Sequence, residues 1–120
     1  MIPYADLLGN PWESYTCSAV VRVALNRWLP KPLSERDLPT SDSDGARALQ
    51  IAESDPGSSR WVPVSHSRMG DVLVTRDAAG VHVFLDLGNE LALSSSRSRG
   101  VYATGLPAVR RRATHIYRPT

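Results

Sequence analysis

The chain has 120 residues, 42 % hydrophobic and 22 % charged, with a formal net charge of +2. That is core enough for one domain spanning 1–120, and it excludes wholesale disorder, collagen and coiled coil. One cysteine, Cys17, excludes an internal disulfide, and no Cys/His spacing suits a structural zinc site.

The apolar runs are too short for a membrane span. The opening MIPYADLLGNPWE shows neither the basic n-region nor the long apolar h-region of a secretion signal. Charge is uneven along the chain. Residues 1–55 hold five basic groups against eight acids, a net of −3, whereas residues 56–120 hold nine arginines against four acids, a net of +5. The basic half is either a solvated surface or one suited to a polyanion such as nucleic acid, a cell-wall polymer or an acidic protein. No motif for specific nucleic-acid recognition is present.

In chain order, Pro3 to Gly9 reads as one or two helical turns, broken by Gly9-Asn10-Pro11. The clearest helix runs from about Cys17 to Leu29. Its apolar stripe is Cys17, Val20, Val21, Ala24, Leu25, Trp28 and Leu29, Thr16 stands at the N-cap, and Pro30 ends it. Trp28 belongs to that stripe and so to the core. Pro30 to Asp44 reads as a loop, Asp44 to Glu53 as a short second helix, and Asp55 to Ser59 as a break.

The remainder reads as strands: Asp71–Thr75, Val81–Leu87, Glu90–Ser95 after a Gly88-Asn89 turn, Gly100–Thr104 and Thr114–Arg118. In the second of these, Val81, Val83, Leu85 and Leu87 take one face, and His82, Phe84 and Asp86 the other. Arg110-Arg111-Arg112 follows a Pro-Ala-Val stretch read as a loop. Helices first and an antiparallel sheet after give an α+β class.

A cysteine in the first turn of a helix faces unpartnered backbone N–H groups and the positive end of the helix dipole, both of which favour thiolate. His82, on a rigid strand, is the candidate proton shuttle, with His66 and His115 as alternatives. Tyr4, Trp12 and Tyr15 lie close to Cys17 in sequence and either wall a substrate cleft or cover the core.

The chain resembles the NlpC/P60 superfamily of papain-like cysteine peptidases, in its short phage-tail-associated form. The residues that carry the resemblance are LLGNPWESYTCSAVVRVALNRWLP (7–30), GDVLV (70–74), GVHVFLDLGNELALSSS (80–96), RGVYATGL (99–106) and HIYRP (115–119). It implies N-terminal helices packed on a C-terminal antiparallel sheet, with Cys17 as nucleophile and His82 as general base. It also implies cleavage of peptidoglycan stem peptides without metal or other cofactor, and a substrate site around Tyr4, Trp12, Tyr15, Thr16 and Ser18. Phage tail proteins would be the partners, and the location a virion tail or the cytoplasm of the producing cell.

Three departures stand out, two of them in the cysteine motif. Thr16-Cys17-Ser18-Ala19 replaces the family's Asp-Cys-Ser-Gly. The third catalytic position, which orients the imidazole, falls on serine: Ser94 by the family's spacing, or Ser95 if Gly88-Asn89 is a strict two-residue turn. Asp86 shares His82's face but lies about 13 Å along the strand. Besides a peptidase, the chain can be read as an inert structural or assembly protein of a tail tip or connector with the same fold, or as an amidase or deamidase acting on protein side chains.

Overall fold

The structure, a computed structural model, describes residues 1–39, 49, 60–78 and 80–120. The helix expected over Asp44–Glu53 and the break at Asp55–Ser59 lie outside the described residues, apart from Leu49, which is buried in the core.

A 3-10 turn covers Ala5–Leu7. The first helix, α1, spans Cys17–Asn26. Thr16 caps it, its hydroxyl accepting the Ala19 N–H at 3.2 Å, as the sequence leads one to expect. The helix stops three residues short of the expected end. Pro30 disfavours helical backbone at Leu29, and the Asn26 amide binds the returning chain instead, accepting from Leu33 N–H at 2.7 Å and donating to Leu33 C=O at 2.9 Å. Trp28 therefore leaves the stripe. It is 38 % exposed and lies over Gly70, where a Cβ would collide with its ring.

Six strands follow: β1 (Trp61–Pro63), β2 (Val72–Asp77), β3 (Gly80–Gly88), β4 (Leu91–Ser96), β5 (Gly100–Gly105) and β6 (Ala113–Pro119). They form one antiparallel sheet in the order β1-β6-β2-β3-β4-β5. A second helix, α2 (Leu106–Arg112), stands where the sequence suggested a loop. Its signals are a proline in the first turn, Leu106 and Val109 three apart and buried, and three arginines in the last turn, where cations suit the helix dipole. β1 was also unforeseen. It places Trp61 in the core, with the indole N–H donating to Asp37 C=O at 3.0 Å.

Both faces of the sheet are covered, so β3 is buried on both sides. One core joins the α1 stripe, including Cys17, Val20, Val21, Ala24 and Leu25, to Val72, Val74, Val83, Leu85, Leu87, Leu93, Val101 and Tyr117. A smaller core on the other face holds Leu73, Phe84 and Ala92 against Leu106 and Val109 of α2. The outer strands are short or shielded. β1 has three residues, and on β5 Val101 exchanges backbone hydrogen bonds with the N-terminal loop, accepting from Gly9 N–H at 3.0 Å and donating to Asn10 C=O at 2.9 Å. No helix among the described residues is long and apolar enough to cross a membrane.

Candidate functional site

Cys17 is the first residue of α1, where the helix start would favour thiolate. Its side chain, however, is sealed. The residue is 0 % exposed and packs in the α1-side core. His82 sits near the start of β3, opposite Thr75 of β2, with its ring 29 % exposed and Nε2 3.5 Å from Asp77 Oδ1.

The two groups lie on opposite faces of the sheet. Val83, Leu85 and Leu87 join the core that contains Cys17, whereas Phe84 joins the α2-side core. Strand alternation then places His82, two residues from Phe84, on the α2 side. Leu73 on the α2 side, with Thr75 and Asp77 in phase with it, gives the same assignment. The expected Cys17–His82 pair is thus not brought together. The cause is visible in two readings that each held: the stripe containing Cys17 turns inward, and the aliphatic face of β3 receives it. Taken together, they send His82 to the other side.

The expected third position fails for a related reason. The β3–β4 turn is Asn89-Glu90, with φ of 52° and 63°, the twist favoured in a two-residue hairpin. An extra residue at Leu87 bulges β3, and the register runs through Gly88–Leu91, Asp86–Ala92 and Leu85–Leu93. This shifts the pairing by one from the strict Gly88-Asn89 turn, and it stops short of His82. The Ser94 hydroxyl donates to Val83 C=O at 2.8 Å. Ser95 Oγ is buried on the α1 side without a hydrogen-bond partner. Neither orients the imidazole.

The residues expected to wall a substrate have other work. Tyr4 and Tyr15 pack half-buried against the α1-side core, Thr16 caps the helix, and Ser18 is 0 % exposed. Trp12 carries the Arg97 guanidinium over its ring at 4.5 Å.

Sequence reasoning missed a polar network on the α2 side. Asp71 and Asp86 are both 1 % exposed. Asp71 takes a two-pronged hydrogen bond from Arg118 (both contacts 2.9 Å) and a third from Arg68 N–H. Asp86 accepts from the Ser67 hydroxyl at 2.8 Å and from Gly88 N–H at 2.9 Å, with Arg110 Nη2 at 3.5 Å. Buried carboxylates require such partners, and these fasten the 65–70 loop to α2 and β6.

Beside that loop lies a cavity of about 330 Å³ lined by Ser65, His66, Ser67, Arg110 and Ile116. A second, of about 280 Å³, shares Ser65 and Ile116 and includes His115. The two alternative histidines therefore face these cavities, and Cys17 lines neither. Among the described residues, no group of three or more His, Cys, Asp or Glu side chains is placed to hold a metal ion.

Comparison with known proteins found no family model that matches the chain and no curated protein that matches it.

Proposed function

We propose that this chain is a non-hydrolytic binding module, a structural or assembly component that resembles NlpC/P60 domains while lacking their reactive thiol. The observation that carries the reading is the complete burial of Cys17 in the α1-side core. A thiolate attacks a carbonyl only where substrate and base reach it, and the imidazole nearest in the family's pattern belongs to the opposite face. The resemblance to short phage-tail-associated members supports a tail tip or connector as the setting, within a virion or in the cytoplasm of the producing cell. The net charge of +5 over residues 56–120 supports docking through the basic second half.

Alkylation of Cys17 by iodoacetamide near neutral pH tests this. The native chain is expected to react at least about 100-fold more slowly than the chain in denaturant, because modification waits for opening. Labelling as fast as a free thiol and lost in His82→Ala would overturn the proposal. Digestion of purified cell wall that disappears in Cys17→Ala would instead establish the stem-peptide peptidase.

A further inference from the structure

Two arginines at the β4–β5 turn are held over aromatic rings. Arg97 Cζ stands 4.5 Å from the Trp12 ring centroid and Arg99 Cζ 4.0 Å from that of Tyr102. The turn that carries them is braced by Ser96, whose hydroxyl accepts the Arg99 N–H at 3.2 Å. Arg112, at the end of α2, also acts electrostatically on Tyr102. Three other arginines are neutralised, Arg27 by Asp6, Arg110 by Asp86 and Glu90, and Arg118 by Asp71, and Arg22 and Arg60 donate to backbone carbonyls. Among the described residues, no carboxylate lies within ion-pairing distance of Arg97, Arg99, Arg111 or Arg112.

We propose that this arginine–aromatic platform, built from Arg97 on Trp12 and Arg99 on Tyr102 with Arg112 beside it, binds single-stranded nucleic acid without sequence preference. A guanidinium held against a ring keeps its outer face open for a second planar group and its N–H edge open for an oxyanion. A single strand supplies both, bases for the planes and phosphates for the edges. An acidic peptide would use the edges alone, and a duplex keeps its bases stacked internally. The rings also fix the two side chains in advance, so less rotamer freedom is lost on binding.

The inference rests on the binding-module reading for its setting, and the two fail separately. Fast alkylation of Cys17 sinks that reading and leaves this surface untouched.

The test is fluorescence anisotropy of the full chain with labelled oligo(dT) of about 20 nucleotides. Binding is expected at about 50 mM salt, weakening steeply towards about 200 mM. The double variant Arg97→Ala/Arg99→Ala should bind about tenfold more weakly or worse. Arg97→Lys/Arg99→Lys, which keeps the charge and removes the planes, should lose most of the same affinity, while Arg76→Ala on β2 should bind like wild type. All three side chains are exposed, and circular dichroism is the check that each variant is folded. Absence of binding at the lower salt overturns the proposal. So does undiminished binding by the lysine variant, or equal affinity for poly-glutamate, either of which would make the surface one for anionic polymers at large.

Discussion

Tyr102 is a side chain whose environment departs from solution. It is half-buried on the α2 side, edge-on to Phe84 with ring centroids 6.4 Å apart. Burial raises its pKa above the ordinary 10.0, more than the Arg99 guanidinium and the Ser94 hydrogen bond lower it. A folded value above the unfolded one means that the neutral phenol is the form the fold prefers. Its contribution to stability is therefore complete below about pH 10 and is lost as pH rises through the folded value. The difference between tyrosinate absorbance titrations of wild type and Tyr102→Phe should isolate a phenol ionising above 10.0. Arg99→Ala should move that ionisation higher still. A difference curve centred at or below 10.0 would show that burial is not the controlling influence. Single residues were also where the sequence was hardest to interpret. That Cys17 opens a helix was legible from Thr16 and the apolar stripe, but whether the sulfur meets solvent depends on what covers it, and no local pattern records that.

At the level of elements, local chemistry carried most of the information. The start of α1 follows from Thr16, and Thr16→Ala is expected to cost about 1 kcal/mol, read as a lower denaturant midpoint, while Thr16→Ser retains most of the stability. Equal midpoints for wild type and Thr16→Ala would mean that the cap is dispensable. The strands from Val72 to Ser96 were legible because β-branched and aliphatic residues alternate along them. α2 is faint in the sequence because its seven residues show only one i, i+3 apolar pair, weak periodicity that Pro107 and the arginine run outweigh. The β3–β4 register was off by one because a bulge at Leu87 leaves no mark in composition. That single residue is what separates the serines from the place a hairpin count assigns them.

At the scale of the whole molecule, the α+β class and the order of strands β2 to β6 were legible, and the placement of the candidate pair was not. Cys17 and His82 are 65 positions apart, and their relation is set by which face of the sheet accepts α1, a tertiary choice. The N-terminal segment meets the sheet through the Gly9 and Asn10 bonds to Val101, the Trp12–Arg97 contact and a close approach at Gly100. Gly100, with φ of 68°, lies against Asn10 so tightly that a Cβ would strike the Asn10 carbonyl. Gly100→Ala should therefore destabilise the fold by about 2 kcal/mol or more. It should also expose residues 1–16 to limited proteolysis before the sheet unfolds. Unchanged cleavage kinetics would show that the segment is held by other contacts.

The shielded rims of the sheet bear on how this chain can join anything larger. With one border only three residues long and the other already met by the chain's own leading loop at Val101, less main chain is left to zip onto a neighbour's strand. Growth by backbone templating is hindered at both margins. Recruitment into an assembly then leans on side chains, which can be altered one at a time without disturbing the scaffold beneath.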